Sequence, residues 1–174
     1  MRHSLDMRAI EDKLVDFFSK LVDIAKARGW TSDSKWTDGI FQELTDIGHA
    51  HGCMVFAPMN RCSSDNGGWL YDFHWRISDE KKPFIRMPLA MEIEWGFGRN
   101  QDKLLVEITS DFLKLVQARC DIRIMVFQCR DVESVIDNLI TMAETFEGSQ
   151  QGDRYLFAAY SFDDHQMHCR LWSA

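Results

Sequence analysis

Two segments of this sequence set carboxylates among large apolar residues. One reads Trp69-Leu70-Tyr71-Asp72-Phe73-His74-Trp75-Arg76, the other Leu89-Ala90-Met91-Glu92-Ile93-Glu94-Trp95. Side chains alternate across a strand with a period of two. In the first segment Trp69, Tyr71, Phe73 and Trp75 then share one face, and Asp72 and His74 share the other with Leu70 and Arg76. In the second, Leu89, Met91, Ile93 and Trp95 form one face, while Glu92 and Glu94 point the opposite way. If the two strands are neighbours, Asp72, Glu92 and Glu94 converge. Carboxylate oxygens suit a hard divalent cation such as Mg²⁺ or Mn²⁺, with water and substrate phosphate completing its shell. Such an ion would polarise a phosphoryl group and lower the pKa of a bound water. The plainer alternative is that these acids are the solvent side of half-exposed strands. Against it, both segments are otherwise strongly apolar, as central strands are.

Two charged residues elsewhere could join this group. At about 100° per residue, Glu43 falls at the edge of the helical face formed by Trp36, Ile40, Leu44 and Ile47. An inward carboxylate is costly unless it is paired or coordinates something, so Glu43 is expected to point toward the same cluster; rotation to solvent is the alternative. Lys114, in Asp111-Phe112-Leu113-Lys114-Leu115, lies off the centre of its apolar stripe, with a stem long enough to reach a neighbouring site. Its rival role is a surface pair with Asp111 at i−3. His74 shares the face of Asp72 and could contact phosphate or act as an acid, although a structural histidine is the commoner case.

These residues need strands and helices to position them. Ile10, Leu14, Phe17, Phe18, Leu21 and Ile24 recur at helical spacing and predict a first helix over about residues 5 to 27, stopped by Gly29. A second begins after Ser34 and ends before Gly52, giving a helical pair over about 5–50. Met54 to Phe56 reads as a short strand, and the stretch from Asn60 to Gly68 is rich in turn formers. The two acid-bearing strands follow. A helix carrying Leu104, Ile108, Phe112 and Leu115 comes next, then a nearly continuous apolar run from Ile122 to Phe127 that reads as a buried strand. A fourth helix spans Val132 to Phe146, and late strands run from Tyr155 to Phe162 and Met167 to Trp172. This order predicts an α/β fold, a central mixed β-sheet flanked by helices.

The chain has 174 residues, about one domain's worth, and shows no repeat or long linker, so residues 1–174 read as a single domain. Its net charge of −7 argues against a generally basic nucleic-acid-binding surface. Five scattered cysteines without a C-x-x-C pair, no recognisable signal peptide and no apolar run near 18 residues predict reduced thiols, a cytoplasmic location and no membrane association. His49-x-His51 and His165-x-x-His168 are too weak in spacing to predict zinc.

The sequence order of an acid on an early helix (Glu43), a strand with Asp72, a strand with Glu92-Ile93-Glu94 and a helix with Asp111-Phe112-x-Lys114-Leu115 resembles the PD-(D/E)XK nuclease superfamily. The matching region runs from Glu43 to about Gln128. The resemblance implies a restriction-endonuclease-like fold and metal-dependent phosphodiester hydrolysis. Asp72 and Glu92 would bind Mg²⁺ or Mn²⁺, Glu43 would be an outer ligand, Glu94 would position or deprotonate water, and Lys114 would stabilise phosphate charge. The usual lysine position is Glu94 here, and Tyr71 stands where a proline commonly precedes the Asp; some members carry Glu-x-Glu, and others take the lysine from the following helix. The implied partner is nucleic acid, DNA ahead of RNA, with Lys81, Lys82, Arg86 and Arg99 as phosphate contacts near the mouth. No DNA-reading motif is evident, so a homodimer or partner subunit could supply one. The alternative is a catalytically inactive module of the same fold used for protein binding or assembly.

Overall fold

The computed structural model describes residues 5–96 and 100–174, without the side chains of residues 59 and 60. Helices α1 (Met7–Ser19), α2 (Leu21–Arg28) and α3 (Asp33–Ala50) lead into strand β1 (Met54–Ala57). A 3-10 turn (Pro58–Ser63) and the two-residue β2 (Asn66–Gly67) precede β3 (Phe73–Ile77) and β4 (Arg86–Glu94). Then come α4 (Gln101–Val116), β5 (Ile122–Cys129), α5 (Val132–Thr145), β6 (Arg154–Ser161) and β7 (Met167–Ser173). The strands form one seven-stranded mixed sheet in the order β2-β1-β3-β4-β5-β6-β7. β4, β5 and β6 are parallel, whereas β3 runs antiparallel to both β1 and β4, and β7 antiparallel to β6. The α/β architecture with helices on both sides of a central mixed sheet is the one the pattern predicts.

Alternation sorts the sheet into two cores. Phe73 and Trp75 of β3, Leu89, Met91 and Ile93 of β4, and Ile122, Ile124 and Val126 of β5 pack against α1, α2 and α3. Ala90 of β4, Met125 and Phe127 of β5, and Tyr155 and Phe157 of β6 pack against α4 and α5. The continuous apolar run of β5 follows from its burial on both faces. The predicted first helix is divided at Lys20, and α3 is capped by Ser32, whose Oγ accepts from Lys35 N–H, rather than by Ser34.

The aromatic face predicted for residues 69–76 is shorter than its pattern. Trp69 is 83 % exposed and precedes the strand, and Tyr71 packs with the α4–α5 core instead of with Phe73 and Trp75. Residues 69–72 run as bends between β2 and β3, so the period of two begins only at Phe73. Trp75 locks α3 to β3: its Nε1 donates to Leu44 O across 3.1 Å, and a Cβ at Gly48 would lie 2.7 Å from that same nitrogen.

Arg123 organises the opposite end of β5. Its guanidinium donates to Leu115 O and Ala118 O at the C-terminal end of α4 and to Asp153, 3.2 Å away, while only 1 % exposed. It thereby adds a charged donor to carbonyls at the end of the helix. Arg123→Met should lower unfolding stability in urea by about 2–4 kcal/mol, because Asp153 and these carbonyls lose a buried donor.

Candidate active site

β3 and β4 set the two leading acids opposite one another. Phe73 pairs with Met91 and His74 with Ala90, so the residue before Phe73 faces the residue after Met91. Those residues are Asp72 and Glu92. Asp72 Oδ2 accepts the Ile93 N–H at 2.9 Å, which fixes the carboxyl to the backbone of β4. The two carboxyls are near enough for the charge of Asp72 to act on Glu92. Glu92 is 1 % exposed, and its Oε1 is buried without a hydrogen-bond donor.

Lys114 completes the group. The first turn of α4 is set by Asn100, whose side chain accepts from Lys103 N–H, and Leu104, Ile108, Phe112 and Leu115 bury the helix against the sheet. This places Lys114 Nζ 3.0 Å from Glu92 Oε2 and 2.9 Å from Asp111 Oδ1. Lys114 thus pairs with Asp111 and also reaches the acid cluster. Asp111 joins the site as the second anchor of Lys114, which its i−3 spacing signals. Tyr71 is also at the site, with Glu92 and Lys114 in electrostatic range of its hydroxyl; its position in a bend hid it from the strand pattern. Glu94 keeps the face of Glu92 and is half-buried.

The charge balance is tight. Burial, then the neighbouring Asp72 carboxylate, push Glu92 up to about 8, against the pull of Lys114. Burial likewise raises Asp72, opposed by the Ile93 N–H. Lys114 is raised by its hydrogen bonds to Asp111 and Glu92 despite partial burial. His74 is 2 % exposed, stacked on Phe56 at 4.7 Å, and pushed down to about 4 by burial and Arg76. It is therefore a neutral ring near pH 7 and supplies no cation for phosphate.

Several expected residues lie elsewhere. Glu43 is a correction: it lines a groove with Lys13, Asp16, Lys20 and Arg28, on the α1–α2 side of α3. The Asp72–Glu92 pair is on the sheet face that packs α4, so the sheet separates the two. A rim position on a helix has two directions, and Glu43 takes the one toward the groove beside α1 and α2. Lys81 and Lys82 sit in the turn closed by Asp79 at the other end of the β3–β4 hairpin, away from Asp72. Arg86 is paired with Asp121 at 2.6 Å. Arg99 lies outside the described residues.

Among the described residues, no three His, Cys, Asp or Glu side chains gather closely enough to hold a metal ion between them. The donors of Asp72 and Glu92 nonetheless fit a hard cation: Mg²⁺ takes one or two carboxylates and fills its shell with water and phosphate. The orphaned Glu92 Oε1 is an oxygen such an ion would satisfy. No helix among the described residues is long and apolar enough to cross a membrane. Comparison with protein-family models, curated proteins and solved structures finds no match to this chain.

Two outcomes follow from this geometry. A carboxyl whose folded pKa is raised stabilises the fold below its unfolded value, and that contribution is lost as pH rises through the folded value. For Glu92 the window runs from the ordinary 4.5 to about 8. In metal-free buffer the urea midpoint of the native chain should therefore fall relative to Glu92→Gln across this window, because a neutral amide does not titrate. Separately, Glu43→Gln should leave any Mn²⁺-induced rise in melting temperature unchanged, whereas Asp72→Asn should remove it.

Proposed function

We propose that this chain is a metal-dependent nuclease that hydrolyses phosphodiester bonds, with a restriction-endonuclease-like fold. The observation that carries the reading is the Asp72–Glu92 pair, set side by side by the β3–β4 register, with Asp72 half-buried, Glu92 buried and Lys114 Nζ 3.0 Å from Glu92 Oε2. Burying like charges side by side is unfavourable unless a proton or a cation lies between them. The element order gives further support, since the Asp-bearing strand end and the Glu-x-Glu strand are sheet neighbours and the Asp-Phe-x-Lys-Leu helix packs over them.

Asp72 and Glu92 would hold Mg²⁺ or Mn²⁺. When bound, the ion supplies Lewis-acid polarisation of phosphate and an acidified water. The chain's own groups have distinct tasks. Ile93 N–H holds Asp72 in place through the sheet backbone. Glu94, on the same face, is the group to orient a water or accept its proton. Lys114 places a positive charge beside Glu92, where it can stabilise charge building on a phosphate. Asp111 steadies Lys114 from the solvent side.

A second reading is an inactive module of the same fold used for assembly. Its support is that Lys114 already neutralises Glu92 internally and that no third metal-ligating side chain joins the pair among the described residues. Cleavage assays separate the two. At low salt with Mg²⁺ or Mn²⁺, on single- and double-stranded DNA and on RNA, Asp72→Asn should abolish cleavage by orders of magnitude with the fold retained. Lys114→Ala should lower turnover with a smaller effect on metal affinity. Cleavage should fall steeply with salt, since a chain of net charge −7 has only local basic groups for phosphate. A folded protein that cleaves none of these substrates with either ion favours the assembly reading.

A further inference from the structure

At the C-terminal ends of the parallel strands, on the sheet face opposite the acid pair, lies a cavity of about 520 Å³ lined by Trp30, Thr31, Ser32, Asp33, Trp36, Gln128 and Tyr160. The volume is in the range of small-ligand sites, and open parallel sheets bind ligands beyond their strand ends. Its aromatic wall is built on Trp36, whose ring packs edge-on to Trp30 at 6.5 Å, Trp95 at 6.2 Å and Tyr160 at 5.8 Å. Hydrogen bonds hold the rings, with Trp36 Nε1 donating to Trp30 O and Trp95 Nε1 to Thr37 Oγ1.

The polar element is Gln128. It is 8 % exposed, and its Oε1 accepts the Gly96 N–H at 3.1 Å, which fixes which way the amide points. Its Nε2 donates to no described residue and is left for whatever fills the cavity. A cationic ligand is disfavoured there, because the Arg28 guanidinium already lies 5.7 Å from the Trp30 ring centre. A free phosphate is disfavoured too, because Asp33 occupies the first turn of α3. A neutral, planar ring with a hydrogen-bond acceptor on its edge satisfies both the stacking wall and the amide.

We infer that this cavity holds a nucleobase, stacked on the Trp30–Trp36–Tyr160 wall with an acceptor on its edge bonded to Gln128 Nε2. The choice of a base over other planar rings rests on the nuclease reading. The covalent link between the two places is short: Glu94 ends β4, and Trp95 and Gly96 follow it into contact with Trp36 and Gln128. A strand presented to Asp72 and Glu92 could thus lodge an unstacked base around the end of β4, which makes single-stranded or locally opened nucleic acid the substrate class.

The test uses the full chain without metal, titrated with AMP, GMP, CMP and UMP one at a time. Binding is followed by tryptophan fluorescence and by the indole N–H resonances of Trp30 and Trp36. At least one nucleotide should bind saturably and shift both resonances. Gln128→Leu and Tyr160→Leu should each weaken it by about tenfold, the scale of one lost stacking or hydrogen-bond contact. The resonance shifts test the cavity even if a variant fails to fold. Absence of saturable binding by all four, shifts confined to other tryptophans, or displacement of the nucleotide by tetramethylammonium overturns the inference. Metal-dependent cleavage without nucleotide binding removes the base pocket and leaves the nuclease reading; nucleotide binding without cleavage does the reverse.

Discussion

Asp72 and Glu92 are forced together by strand register, and the surroundings of the pair are arranged to make that tolerable. The Ile93 N–H approaches Asp72 from one side and the Lys114 ammonium approaches Glu92 from the other, so each acid has one donor of its own. Burial and the neighbouring Asp72 charge still outweigh these donors at Glu92 and lift its pKa to about 8. Much of the nearby architecture serves this balance. α4 must dock where Lys114 can reach inward, and Asp111 must hold that lysine without withdrawing it from Glu92.

The frame that enforces the register lies on the other side of the sheet. Trp75 is fully buried, donates to Leu44 O, and meets α3 at a point where only a glycine, Gly48, leaves room. With β3 fixed in this way and paired to β4, Asp72 has little freedom of position. An apolar contact between a helix and a strand thus determines where a carboxyl stands on the far face. Arg123 does the corresponding work for α4, tying its last turn to β5 and so setting the height of Lys114 along the sheet.

How much of this could be read from the sequence depended on whether local periodicity determines an orientation. For β4 it does: apolar Leu89, Met91 and Ile93 alternate with acids, and only one face can be buried against α1–α3. The same logic makes the four longest helices legible from spacing, whereas β5 is legible only as a strand buried on both faces, with no periodicity to orient it. The logic fails at Trp69 and Tyr71, where alternation begins in the letters before the strand begins in the backbone. It fails again at Glu43, since a helical wheel gives the angle about one axis and says nothing of which neighbour stands there. Lys114 and Asp111 were visible as a pair; that the pair reaches Glu92 depends on the tilt of α4, a tertiary property. The Gln128 cavity is assembled from three separated segments and has no local signature.

The hydrogen bond from Ile93 to Asp72 has a further meaning. Where β3 ends, a side-chain oxygen takes the place that a backbone carbonyl would occupy in the ladder. The acid is therefore a structural member at the end of a central strand pair as well as a candidate ligand, and it can leave its position only if that end of the pair opens. The Ile93 amide proton can exchange with solvent only through the same opening. Its exchange rate, measured on the resting protein without substrate or metal, is a direct gauge of how firmly the acid pair is preorganised.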